Sequence, residues 1–273
     1  MYKATAAEVS KLRTATGAGM MDSKKALEEA EGDFEKAIEI LRKKGQKVAA
    51  NRADRDSTEG VVIAKVNEDH TKGVIISLNC ETDFVGKNED FIALAQRLAH
   101  IALSFDDKEE FLKADLDGIT IEEKLTEQTG VIGEKIEIGT FQTLVGPFVN
   151  AYIHAGNRIG AIVALSSNVE GAEEGAKEIA MQVAAMNPVA LNENEVSSEI
   201  VEKELEIAKD QLRQEGKAEN MIENIAKGKL QKFFKENTLV HQPFIKEAKL
   251  SVADHLKTIN ADLEVIGFIR YGI

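Results

Sequence analysis

The sequence predicts an α+β protein with four parts: an N-terminal three-helix bundle, two related antiparallel-sheet-plus-helices subdomains, and an inserted antiparallel helical hairpin. Three observations carry that prediction. Apolar residues over 5–45 recur at helical spacing between turn signals, and two later segments each repeat the order strand, turn, strand, helix. Residues 196–237 are surplus to the second repeat and carry two apolar seams of helical period. The domains that follow are 1–55 for the bundle and a linker, 56–145 for the first core subdomain, and 146–273 for the second with its insertion.

In chain order, Thr5 with Glu8 three residues later is a capping-box pattern, followed by Val9 and Leu12 on one face. Thr16-Gly17-Ala18-Gly19 breaks that helix, and a second runs from Met20 to about Ala30 and stops at Gly32. Asp33 caps a third, with Phe34, Ala37, Ile38 and Leu41 at helical spacing and Gly45 as its stop. Gln46 to Thr58 is basic and polar and reads as a linker, partly helical at most.

The first repeat comprises strand Val61–Val66, turn Asn67–Lys72, strand Gly73–Asn79 and a helix around Ala93–Leu103. The second comprises strand Phe148–Ile153, turn His154–Arg158, strand Gly160–Ser166 and a helix around Ala176–Met186. Gly73 with Gly160, and Ala93 with Ala180, align at one common offset. Each copy reaches a last strand, Glu134–Phe141 and Val265–Tyr271. In the insertion, Val201, Leu205, Ala208 and Leu212 face Ile222, Ala226, Leu230 and Phe233 across Gly216-Lys217. Such a protrusion meets a partner or a second copy of the chain, or else stiffens its own subdomain.

Composition narrows the function. Hydrophobic residues at 43% and charged residues at 30% are those of a soluble globular chain, with no apolar run of membrane length and no secretory signal at Met1-Tyr2-Lys3. A single cysteine excludes an internal disulfide and fits a reducing cytoplasm. The net charge of −13 argues against general affinity for nucleic acid or an anionic membrane.

The stretch Thr82-Asp83-Phe84-Val85 joins an apolar strand to a helix, and a Phe in so polar a connection needs a reason. It folds onto its own core or projects as an anchor into something else. The equivalent loop of the second repeat, Asn168 to Gly175, has no aromatic, which weakens the core reading. Cys80 with His154 as base would make a nucleophile only if the thiol pKa were lowered. Ending an apolar strand beside Glu81 and Asp83, Cys80 reads better as a small core hydrophobe. His154 sits at a hairpin tip with no partner carboxylate or hydroxyl in sight. The acids of Glu81–Asp90 do not match a calcium loop, and Gly17-Ala18-Gly19 lacks the spacing of a phosphate loop. No catalytic residue, metal or cofactor is therefore assigned. Met20 and Met21, adjacent on one helix, cannot both face a small core, so at least one lies at a surface suited to a partner's groove.

Several strings together resemble the elongation factor Ts family. They are Leu12-Arg13, Thr16-Gly17-Ala18-Gly19-Met20-Met21-Asp22, Lys24-Lys25-Ala26-Leu27 and Gly32-Asp33, followed by Thr82-Asp83-Phe84-Val85. His154 with Arg158-Ile159-Gly160, Gln242-Pro243-Phe244 and Gly267-Phe268-Ile269-Arg270-Tyr271 extend the likeness along nearly the whole chain. The resemblance implies a guanine-nucleotide exchange factor for elongation factor Tu, binding its GDP-bound and nucleotide-free forms, with a ubiquitin-associated-type (UBA-like) N-terminal bundle. It implies that Asp83-Phe84, within the Thr82–Val85 loop, wedges into the partner's nucleotide-binding domain and dislocates its Mg²⁺ and phosphate site. It further implies that Leu12, Met20 and Met21 dock on a helix of that domain, and that His154 lies at another contact. Ser23 stands where many members carry Cys. The sequence ends at Ile273 where many continue into another helix, which puts an interface built by such a helix, dimerisation included, in doubt. The competing readings are a non-catalytic peptide or ubiquitin-like interaction module, and a cysteine hydrolase using Cys80 and His154.

Overall fold

The computed structural model describes residues 2–273, so Met1 of the predicted first domain lies outside the described residues. Helix α1 spans Ala6–Thr16, and its first turn is held by the predicted capping box. The Thr5 hydroxyl accepts from the Glu8 amide at 3.3 Å, and the Glu8 carboxylate accepts from the Thr5 amide at 2.8 Å. Gly17, at φ +70°, ends it in the left-handed region that favours glycine. Helix α2 spans Met20–Glu29 and α3 spans Phe34–Arg52, the latter capped by Asp33, which accepts from the Lys36 amide at 3.1 Å. Val9, Leu12, Ala26, Leu27 and Ala37 form the bundle's core, with Phe34, Ile38 and Leu41 against it.

The next segment is β1 (Glu59–Val66), β2 (Lys72–Cys80), a single turn α4 (Asp83–Gly86) and α5 (Glu89–Ala102). It continues through α6 (Lys108–Lys113), the short pair β3 (Asp115–Leu116) and β4 (Ile119–Thr120), α7 (Ile121–Ile132) and β5 (Glu137–Val145). The sheet order is β1-β2-β5. Val61 to Ile63 and Val74 to Ile76 are buried as continuous runs, not in alternation, as expected of strands covered on both faces. Phe91, Leu94, Ala95, Leu98, Ala99 and Ala102 put one apolar stripe of α5 inside.

Two predicted boundaries fail here. Gly45 does not stop α3, which runs on to Arg52 and takes up half of the predicted linker. Gly45 is buried against Gly130 of α7, so its missing side chain serves a close helix crossing and not a cap. The predicted strand Glu134–Phe141 begins only at Glu137, because α7 runs to Ile132 and the chain must first turn through Gly133, at φ +82°.

The chain divides into two compact units, residues up to 63 with 76–141 and Ile273, and residues 64–75 with 142–272. In the second, β6 (Phe148–Ile153) and β7 (Ile159–Leu165) precede α8 (Ala172–Met186) and the helical pair α9 (Ser198–Gln214) and α10 (Glu219–Asn237). Then come β8 (Pro243–Phe244), β9 (Glu247–Ser251), α11 (Val252–Ile259) and β10 (Val265–Gly272). The sheet order is β10-β7-β6, with Gly160 opposite both Ile153 and Tyr271 in antiparallel register. A hairpin whose second strand accepts the last strand is the plan of both sheets, as the sequence repeat predicts. Phe148, Val163, Leu165, Ile179, Val183 and Leu256 belong to the core of this unit. The α9–α10 pair is the predicted hairpin, turned at Gly216 (φ +74°) and zipped by Ala208, Leu212, Ile222 and Ala226. Among the described residues no helix is long and apolar enough to cross a membrane.

Candidate functional site

The site is the turn at Phe84 and what holds it. Strand β2 ends on Cys80, which is fully buried. The chain then forms the one helical turn of α4, where the sequence suggested an open loop: the Gly86 amide donates to the Thr82 carbonyl at 3.3 Å and the Lys87 amide to the Asp83 carbonyl at 3.0 Å. Gly86 is buried against the backbone of Gly60, where a Cβ would lie 3.2 Å from the Gly60 carbonyl oxygen. Asn88 stops the turn and starts α5, accepting from the Asp90 amide at 2.8 Å. Phe84 is thus thrown outward and is 84% exposed, while Thr82, Asp83 and Val85 are half-buried. At that exposure the Phe84 ring lies outside the core of its own unit.

Two carboxylates fasten the turn from behind. Glu134 accepts from the backbone amides of Glu81 and Thr82, both at 3.0 Å, and from the Thr82 hydroxyl at 2.7 Å. Glu81 in turn accepts from the Lys135 amide at 2.7 Å and from Arg52 at 2.6 Å, with Arg55 at 3.3 Å. Burial by itself would raise the Glu81 carboxyl, but the Lys135 amide, Arg52 and Arg55 together hold it below the usual range. Asp83 pairs with Lys87 at 2.6 Å, and that hydrogen bond and charge hold its carboxyl below its ordinary value. Sequence reasoning placed Glu81 in this connection but missed Glu134, Arg52 and Lys135 as parts of the site. No local signal joins residues so far apart along the chain.

The predicted docking residues part company. Met20 and Met21 are both exposed, each at 61%, and they share a compact unit with Phe84. Leu12 does not fit its predicted role as a docking side chain: it is wholly buried in the bundle core, since it shares the apolar face of α1 with Val9. His154 lies exposed at the β6–β7 turn in the other unit, its Nδ1 3.1 Å from the Tyr152 hydroxyl. Cys80 is unsuited to nucleophilic work: burial first, then the charges of Glu134 and Glu59, push its thiol up to about 11. Its Sγ donates to the Thr82 carbonyl at 3.1 Å. Among the described residues no group of three His, Cys, Asp or Glu is placed to hold a metal ion.

These features describe an α+β protein that presents an aromatic side chain on a strapped turn. Residues 81–273 match the family model described as Elongation factor TS. The chain is 68% identical to the elongation factor Ts of Christiangramia forsetii over 273 residues, covering the full length of both. It is 63% identical to that of Flavobacterium psychrophilum, covering 99% of this chain and 98% of the relative. With that of Porphyromonas gingivalis the identity is 45%, over 98% of this chain and 97% of the relative. The chain belongs to the elongation factor Ts family, whose members serve translation elongation as nucleotide-exchange factors.

Proposed function

We propose that this protein releases GDP from elongation factor Tu by inserting Asp83-Phe84 into the partner's nucleotide-binding domain, dislocating its Mg²⁺ and phosphate contacts without making or breaking a covalent bond. The observation that carries the reading is the 84% exposure of Phe84 on a hydrogen-bonded helical turn. A large aromatic left in water is stabilised by any pocket that buries it, and such an anchor contributes roughly 2–4 kcal/mol. Accelerating release 10⁴-fold requires about 5.5 kcal/mol in favour of the release transition state over the starting GDP complex. Phe84 would supply part, and distributed docking through Met20, Met21 and His154 the rest. Because coupling between two ligands of one protein is reciprocal, the factor binds the nucleotide-free partner better than the GDP-bound one. Asp83 acts as a hydrogen-bond acceptor in the partner, releasing Lys87 as it does so. The cytoplasm is the proposed location, since the proposed partner works there.

The test is stopped-flow release of fluorescently labelled GDP from elongation factor Tu. Phe84→Ala is expected to fold normally and to slow the maximal release rate on the order of 30-fold or more, the equivalent of losing a 2–4 kcal/mol anchor. A folded Phe84→Ala protein that releases GDP at the full rate would sink the wedge. Capture of many unrelated peptides and no GTPase would favour the interaction-module reading instead.

A further inference from the structure

We infer that Glu134 is a positioning residue for exchange, a carboxylate that holds the Asp83–Phe84 turn in its inserting geometry before the partner arrives. The inference rests on the proposed role of Phe84 and adds the device that makes Phe84 effective. Helix α4 is four residues long, too short to be stable by itself, because nucleation fixes several dihedrals for one hydrogen bond. Its first residues lack side-chain capping, since the Thr82 hydroxyl is turned to Glu134 and not to its own helix. The order of the turn is therefore imposed from outside. Glu134 imposes it with three hydrogen bonds to residues 81 and 82, all charge-assisted at the acceptor. The strap is reciprocal, because the residue after Glu134 donates its amide back to Glu81. Arg52, at the end of α3, closes the set on Glu81. A turn held in this way loses little conformational entropy on insertion, whereas a loose one would have to be ordered at the moment of binding.

The experiment is GDP release measured over a range of factor concentrations for Glu134→Ala, Glu134→Gln, Phe84→Ala and the Phe84→Ala/Glu134→Ala pair. Glu134→Ala is expected to lower the maximal rate roughly tenfold, as removal of charge-assisted hydrogen bonds would, with a smaller change in half-saturating concentration. Glu134→Gln should recover most of the rate, because its amide oxygen accepts from both backbone amides and its NH₂ can donate to the Thr82 hydroxyl. In the Phe84→Ala background, Glu134→Ala should add almost nothing, since it acts through Phe84. Loss of stability alone would not produce that pattern. If Glu134→Ala releases GDP at the full rate while Phe84→Ala is slow, the positioning role is overturned and the wedge stands. The same follows if Glu134→Ala costs as much in the Phe84→Ala background as in the wild type. A full rate for Phe84→Ala overturns the wedge, and the positioning role with it. If Glu134→Ala does not fold, Thr82→Val, which removes only the hydroxyl link, carries the same comparison. It should then show a severalfold loss that vanishes beside Phe84→Ala.

Discussion

Gly45 of α3 and Gly130 of α7 meet backbone to backbone, and the contact is lopsided. A Cβ added at Gly130 would lie 2.4 Å from the Gly45 Cα, whereas one added at Gly45 would find the Thr126 carbonyl oxygen at 3.5 Å and the Gly130 Cα at 3.7 Å. The two substitutions should therefore have opposite signs. Gly130→Ala forces the helices apart, at an overpacking cost of about 1–3 kcal/mol that exceeds the helix-propensity gain of up to about 1 kcal/mol. Gly45→Ala meets ordinary contact distances, so it should keep or raise stability by up to about 1 kcal/mol. Urea denaturation of the two variants checks this, and equal destabilisation would show that the crossing tolerates neither Cβ.

The exposed pair on α2 leads to a second expectation. Met20 and Met21 are each 61% exposed, so little of their area contributes to folding. Met20→Gln/Met21→Gln should change unfolding free energy by no more than about 0.5 kcal/mol. If they dock, affinity for elongation factor Tu should fall on the order of tenfold, the scale of one or two buried apolar contacts. Titration calorimetry beside a thermal melt separates the two effects. Leu12→Ala should do the reverse, costing about 2–5 kcal/mol of stability as a core truncation. Unchanged affinity in the Gln pair would remove these methionines from the interface.

What could be read from the sequence is what short-range chemistry decides. The Thr5–Glu8 capping box, the Asp33 cap, the two hairpin–helix repeats and the α9–α10 seam each rest on residues within a few turns of one another. The same signal at Thr120 and Glu123, which caps α7, could also have been read. Gly45 misled because glycine serves two purposes, helix ending and close approach, and only α7 decides between them. The motif at 82–85 was legible as a place, and the one-sided repeat weakened the core reading, while only the structure shows that Phe84 is exposed. Its single-turn helix and its fastening to Glu134 depend on a carboxylate some fifty residues later, for which no periodicity gives notice.

The buried thiol should be inert in the native state. Cys80 is fully buried with its thiol pushed up to about 11, so almost none is thiolate at neutral pH. Ellman's reagent should label it in denaturant and leave the folded protein unlabelled for at least the time the unfolded chain takes to react completely. Cys80→Ala should keep exchange activity, with the about 1–2 kcal/mol loss of a small core truncation. Rapid labelling of the native protein would mean that the end of β2, and with it the base of the Phe84 turn, opens readily.

Glu8 predicts an acid-dependent contribution to the N-terminal bundle. The Tyr2 hydroxyl donates to its carboxylate at 2.5 Å, the Thr5 hydroxyl and amide add to that, and together they lower its pKa from 4.5 to about 2. A carboxyl with a folded pKa below its unfolded value stabilises the fold fully above about 4.5, and that contribution is lost as pH falls through about 2. Tyr2→Phe keeps the ring that packs over Gly32 but deletes the donor that lowers Glu8 most. The variant should therefore melt below the wild type at pH 7. The gap should narrow steadily between pH 4.5 and pH 2, and the Glu8 titration followed by carbon-13 NMR should move up toward its ordinary value. A melting gap that stays the same across that window would show that Tyr2 acts through its ring and not through Glu8.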